Sequence, residues 1–512
     1  MSSAVEHFPV LVVVVSLLSA ITIFIAGWIN RKTAWYISTA TLLGQFTGSL
    51  FILHHVMTAG PIYYRLGGWA PPWGIEYVVD ALNAYVLVIL LFLGLTCVVY
   101  SRKNIEHELP QKTVSFYTLY QLLISGLCGI TVTGDIFNMY VFIEITSLSA
   151  YALIASRGKI ALKASFTYLV LGSIGACFFL LGIGFLYAVT GSLNIRDLSL
   201  LLPPFYGNRV VLAAFVFFIV GLSIKMALFP LHTWLPDAHA FAPAEISAML
   251  SGIIIEVATY AFIRVAFSVF TPRFLRLLPI FDILCWLGAV AIIIGSILAI
   301  TQVNLKRMLA YSSVANMGYI VLALGLSISA RTAPWGGLNP ALMHILNHAL
   351  MKGCLFLAAG AFIYKADLWY ITDFQGLGKK MPYTCAAFVI AAISMIGVPP
   401  SVGFVSKLYM ILASIESGKS IFVAVLLISS LLNLVYFWRV IETMYMKKAA
   451  GENHPHASNG SHVQREEVPL GMLLPIWVLA SLCIIMGILW LANVPTPILN
   501  QVNSMFGLDM RP

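Results

Sequence analysis

Long apolar runs separated by short polar connectors organise the chain. They fall near 8–29, 33–59, 78–100, 113–131, 135–156, 164–190, 209–229, 243–269, 278–302, 308–328, 338–364, 383–417, 420–446 and 468–494. An α-helix needs about twenty apolar residues to cross the hydrocarbon core of a bilayer. The pattern therefore predicts an all-α, polytopic membrane protein of about fourteen transmembrane helices. The run 383–417 exceeds one span and contains Gly397, Pro399, Pro400 and Gly403, so it reads as one broken helix. The run 8–29 lacks a preceding basic segment and is too long for a signal peptide, so it reads as the first span. The stretch 449–467 is polar and is expected to be a loop.

Composition agrees with this reading. Of 512 residues, 60% are hydrophobic and 10% charged, where soluble domains carry roughly 25% charged residues. The net charge of +9 raises the question of a nucleic-acid partner. The Lys and Arg residues, however, sit in the connectors, where the positive-inside rule places them. Seventeen fall on the side of the loop after the first span and eight on the other; Arg264, near a helix end, and three lysines inside spans complete the 29. That bias predicts both termini outside the cytoplasm. The seven cysteines all lie in apolar runs and form no CxxC pair, so neither an iron–sulfur cluster nor a zinc site is expected.

A weak internal echo runs through the chain. Lys225 precedes Pro230 and Pro236, and Lys407 follows Pro399 and Pro400 five spans later. A lysine beside a proline-broken helix in each half suggests two inverted five-helix repeats, with breaks in spans 7 and 12. The corresponding division is 1–112 for the first three helices, 113–269 and 278–446 for the repeats, and 468–494 for the last helix.

Five charged residues of the apolar runs are taken to lie at membrane depth: Glu144, Lys225, Glu256, Lys352 and Lys407. Each costs about 2.5–3.5 kcal/mol at a helix centre on insertion scales. Glu256 and Lys352 are roughly 20 Å from their span ends, too deep to snorkel; Lys225 is close enough to its end that snorkelling is an alternative. In MHILNHALMKG, His344, His348 and Lys352 are spaced by four and share one helical face. Two imidazoles followed by an amine form a short proton relay. Two histidines at that spacing also bind zinc in other settings, but no HExxH pattern or nearby carboxylate completes a site. Glu144 and Lys225 can exchange a proton only if they lie a few ångström apart. Asp237 and His239 occupy a turn between spans and read as loop residues, and Asp135 as a helix cap.

At these residues the chain resembles the proton-translocating antiporter-like subunits shared by Mrp-type cation/proton antiporters, membrane-bound hydrogenases and respiratory complex I. It is most similar to the D-type component of Mrp antiporters and its counterparts in energy-converting hydrogenases. The resemblance covers roughly 75–445 and rests on GDIFNMYVFIEITSLSAY (134–151), IKMALFPLHTWLPDAHAFAPAEISAML (224–250), NLKRMLAYSSVANMGYI (304–320), NHALMKGCLFLAAG (347–360) and GVPPSVGFVSKLYM (397–410). It implies fourteen helices with inverted repeats and a polar axis at mid-membrane. It further implies a gating pair at Glu144 and Lys225, a relay at His344, His348 and Lys352, and a terminal lysine at Lys407. One position departs: these subunits usually carry a central lysine where this chain has Glu256. An acid there relays protons if it is neutral, or ionised and paired with Lys352 or Lys225; the alternative is a half-channel retuned for another ion, or disabled.

The expected function is proton translocation within a multisubunit membrane complex, as Mrp-type Na+/H+ antiport or as the pumping module of a hydrogenase- or complex I-like redox enzyme. A stand-alone solute transporter would gather its polar groups in one pocket instead of spreading them over spans 5, 7, 8, 11 and 12. No cofactor, metal or nucleic acid is expected. The expected partners are other membrane subunits, protons, Na+ and lipid, in a prokaryotic plasma membrane.

Overall fold

The computed structural model describes residues 6–332, 334–447 and 466–508. The chain begins with α1 (Phe8–Ile29) and α2 (Thr33–Ala59), followed by a short antiparallel hairpin of β1 (Ile62–Arg65) and β2 (Glu76–Val79). Then come α3 (Ala81–Glu108), α4 (Thr113–Val132), α5 (Ile136–Ala155), α6 (Ile160–Thr190), the short α7 (Ile195–Leu201), α8 (Arg209–Lys225) and α9 (Leu235–Phe241). The helix α10 (Ala244–Val269) runs through two π-helical turns, at Leu250–Ile254 and Arg264–Val269. The rest comprises α11 (Thr271–Leu275), α12 (Ile280–Thr301), α13 (Leu305–Leu326), α14 (Asn339–Ala366), α15 (Leu377–Lys380), α16 (Pro382–Ile396), α17 (Val402–Glu416), α18 (Ile421–Tyr445), α19 (Leu470–Leu491) and α20 (Thr496–Met505).

Twelve of these helices are long and apolar enough to span a membrane among the described residues. The remaining apolar runs are the two that the prolines were expected to break. The first stops after α8 at Lys225, and the second divides into α16 and α17 around Gly397, whose φ of +94° a residue with a side chain rarely adopts. Most of the polar stretch 449–467 lies outside the described residues.

Caps explain several boundaries. The Asp80 side chain accepts the backbone N–H groups of Leu82 and Asn83 and so starts α3 later than the apolar run suggested, the preceding residues being used in β2. Asp135 caps α5 through the Asn138 N–H at 2.7 Å, as its position had suggested. At the start of α14, Asn503 of α20 accepts the Leu338 N–H at 2.8 Å and donates to the Asn339 side chain at 2.7 Å, tying the two segments together.

The layers differ sharply in exposure. Helices α10, α13 and α14 are buried along almost their whole length, whereas α1, α2, α6 and α18 turn broad apolar faces outward. Helices α12 and α13 approach through glycines: a Cβ on Gly288 would sit 2.7 Å from the Gly318 carbonyl oxygen, the close contact that small residues permit in membranes. One charge counted in a connector belongs elsewhere. Lys306 is buried in the first turn of α13 and donates at 2.5 Å to the carbonyl of Ala242, a buried residue at the turn from α9 into α10.

Candidate functional site: a buried ionic row

The row begins at the flank of the bundle. Glu144 on α5 and Lys225 at the end of α8 form an ion pair at 3.7 Å, and Lys225 also donates to Ser147 at 2.8 Å. Lys225 is buried and does not snorkel, while the Glu144 side chain keeps 30% of its surface open. The geometric requirement set by the sequence, a separation of a few ångström, is met.

In the centre, the three residues spaced by four on α14 take different partners. Lys352 donates to the Leu309 carbonyl of α13 at 2.8 Å; that oxygen also accepts from Ser313, which touches Ser251 of α10 at 2.7 Å. His348 Nδ1 lies 2.5 Å from Glu256 Oε1, both fully buried. The acid of unexpected sign therefore pairs with the histidine and not with Lys352 or Lys225. Glu256 Oε2 and His348 Nε2 have no hydrogen-bond partner among the described residues. Buried polar atoms of that kind mark sites for a proton or an ordered water. One turn away, the His344 ring lies 6.3 Å from that of His348 and nearly parallel to it, and it bonds Ser406 at 3.0 Å and Asn316 at 3.1 Å. A carboxylate thus does reach the histidine pair, but from another helix and as a hydrogen-bond partner; no cluster of three or more metal-ligating side chains occurs among the described residues.

The far end is Lys407 on α17. It donates to the carbonyls of Met395 and Ile396 at 2.9 and 3.0 Å and to Ser430 at 3.2 Å, and its ammonium lies over the Tyr319 ring. The two carbonyls are those released where α16 ends. The broken helix and the lysine are therefore one device: the break supplies acceptors that an intact helix would consume.

Glu256 and His348 are directly bonded, His344 stacks 6.3 Å from His348 and bonds Ser406, and Lys407 is the next residue along α17. Among the described residues no side-chain hydrogen bond joins His348 to His344 or Ser406 to Lys407. Between Lys225 and Lys352 no direct side-chain hydrogen bond is present among the described residues, so the Glu144–Lys225 pair stands apart. Near that gap lie groups that the sequence reading passed over or placed in a loop. His239 on α9 is fully buried, stacked on Phe356, and neither ring nitrogen has a partner among the described residues. Glu245 of α10 is fully buried and held by Asn104 at 2.9 Å. Asp237, by contrast, is half exposed and pairs with Arg307, as suits a loop residue. Glu245 was legible as an acid within an apolar run. His239 was not, because nothing local says that a proline-rich turn lies inside the bundle.

Residues 133–433 match the family described as NADH:quinone oxidoreductase/Mrp antiporter, TM. The chain belongs to this family. It is 44% identical over 487 residues to the N component of NADH-quinone oxidoreductase from Desulforudis audaxviator, covering 94% of this chain and 96% of that one. It is 30% identical over 454 residues to the D component of the Na+/H+ antiporter from Alkalihalophilus pseudofirmus, covering 88% of each. Its fold matches a chain of an archaeal membrane-bound sulfane sulfur reductase with a TM-score of 0.85 at 31% identity, covering 98% of both chains. It also matches a chain of the Mrp complex from Dietzia sp. with a TM-score of 0.84 at 23% identity, covering 99% of both. The chain is accordingly an antiporter-like subunit of the kind found in multisubunit membrane complexes.

Proposed function

We propose that this subunit moves protons across the membrane along the buried row, with Glu144 and Lys225 as a gating pair, Glu256, His348, His344 and Lys352 as the central relay, and Lys407 as the terminal site. The observation that carries this reading is the fully buried Glu256–His348 pair at 2.5 Å, with His344 stacked one turn along α14 and bonded to Ser406, the residue before Lys407. Buried ionisable groups are costly, and proton movement is a function that accounts for retaining so many of them within one bundle. Glu256 acts as a working relay in place of the usual lysine, because it shares a hydrogen bond with an imidazole that takes up or releases a proton. The driving force suffices: a charge moved across 100 mV exchanges about 2.3 kcal/mol.

Two couplings fit the family, Na+/H+ exchange and redox-driven pumping. The 44% likeness to a quinone oxidoreductase component favours the second over the exchange that the motifs first suggested. In either case redox catalysis belongs to partner subunits, and the chain sits in a prokaryotic plasma membrane with both termini outside the cytoplasm. The purified complex, reconstituted in vesicles with a trapped pH dye, tests the reading. Proton movement is expected with an electron donor and acceptor, and its loss is expected in Lys352→Met. Native rates in an assembled Lys352→Met complex would refute the relay. Proton movement driven by a Na+ gradient alone would return the coupling to exchange.

A further inference from the structure

Helix α10 carries polar residues beyond Glu256 at intervals of four: Tyr260, Arg264 and Ser268. Residues so spaced lie on one face, each about 6 Å farther along the axis. The stripe runs from the membrane centre to the face that the positive-residue bias marks as non-cytoplasmic. There it meets an open-mouthed cavity of about 480 Å³ lined by Tyr63 and Glu76 of the β-hairpin, Asn194, Arg196, Ser268 and Phe506.

Where the stripe meets the cavity there is a buried ion pair. Arg264 donates to Asp80 at 2.5 Å, to Tyr260 Oη at 3.0 Å and to Asn83. Tyr260 Oη in turn donates to the Thr131 carbonyl at 2.7 Å. The pair is almost shut off from solvent, with side-chain exposures of 8% for Arg264 and 12% for Asp80, although both residues line the cavity. Arg264 also opens the second π-helical turn, a feature frequent at functional sites.

We propose that α10 provides an outward limb of the proton pathway, running from the outer cavity past Tyr260 to Glu256, and that the Asp80–Arg264 pair is its gate. With the pair closed, Arg264 fills the passage and water stops at the cavity. When Arg264 withdraws, water reaches Tyr260 and accepts the proton leaving the Glu256 carboxyl, which remains as a carboxylate beside His348. Proton uptake from the outside is the reverse of this step. The acid at 256 is thereby the junction between the lateral row and the outer solution. The proposal rests on Glu256 being a proton site, as argued above.

The test uses the intact complex in vesicles, with a K+ diffusion potential imposed by valinomycin and an internal pH dye. Arg264→Gln is expected to raise the passive proton leak about tenfold, Arg264→Lys less, and the double variant Arg264→Gln/Glu256→Gln is expected to return to the native leak. An assembled Arg264→Gln complex as tight as the native one overturns the gate, and a leak that persists in the double variant overturns the route through Glu256. Failure of the underlying reading looks different: Glu256→Gln alone would then sustain native driven translocation. A second measurement needs no change at the pair. Ser268→Cys is expected to react with a membrane-impermeant maleimide added from outside, in excess over the native cysteines, and absence of that reaction overturns the outer cavity as the access point.

Discussion

Glu256→Gln is the most informative single substitution. The 2.5 Å contact between Glu256 Oε1 and His348 Nδ1 lets one proton rest on either group. With the proton on the imidazole, the charges attract by about 7 kcal/mol at that distance and an effective dielectric of 20. That offsets much of the several kcal/mol that each ion loses on leaving water, so the two arrangements lie close in energy and the proton passes between them readily. Glutamine keeps the shape and can still accept from Nδ1–H, but it cannot carry the charge. The imidazolium at His348 then loses the attraction, roughly five powers of ten in occupancy at 1.4 kcal/mol each. The structural penalty is small: a charge-assisted hydrogen bond becomes a neutral one, a loss of about 1 kcal/mol. The expected outcome is an assembled complex of near-native thermal stability whose driven proton translocation falls at least about tenfold. Glu256→Asp retains the charge but withdraws the oxygen by about one methylene, and should lose most translocation as well. The assay is the rate of internal pH change in vesicles at matched subunit content. Translocation within twofold of native in Glu256→Gln would refute the pairing argument, and would return His348 and Glu256 to the status of buried packing residues.

Lys407→Met keeps the aliphatic stem but abandons the Met395 and Ile396 carbonyls, at about 1–3 kcal/mol each; the midpoint of thermal unfolding of the detergent-purified complex should fall, and an unchanged midpoint would mean that the lysine does not secure the break. Ser147→Ala removes one hydrogen bond from Lys225 but leaves the 3.7 Å ion pair with Glu144, so translocation should drop severalfold without vanishing, and complete loss would show that the serine itself passes protons. Gly487→Ala places a methyl carbon 2.1 Å from the Pro400 carbonyl oxygen and 2.6 Å from the Ser401 carbonyl carbon; overpacking of that kind costs about 1–3 kcal/mol, and the same thermal scan should register it.

Much of the architecture was legible because each apolar run is a physical requirement of the bilayer. The breaks at 226–234 and 397–401 were readable from their prolines, and the lysine beside each was readable from its cost. The Glu144–Lys225 pair could be named but not measured, since sequence states that the two residues exist and not that 3.7 Å separates them. The partner of Glu256 was misjudged for a related reason: a buried acid suggests a lysine, yet helix packing turned Lys352 toward the Leu309 carbonyl and delivered His348 to the acid. His239 and Lys306 were assigned to connectors because they flank a broken helix that looks like a surface turn in one dimension. Asp80 was concealed by its second duty as a helix cap, and Arg264 by its position near a helix end.

The tie between α20 and α14 bears on how such a protein is made. The helix carrying His344, His348 and Lys352 has its first turn secured by Asn503, far downstream in the chain. During synthesis that clasp is missing until Asn503 itself has left the ribosome. A chain interrupted earlier lacks both of these hydrogen bonds at the first turn of that helix. Translation order thus leaves the clasp on the helix of His344, His348 and Lys352 among the last contacts of the chain to form.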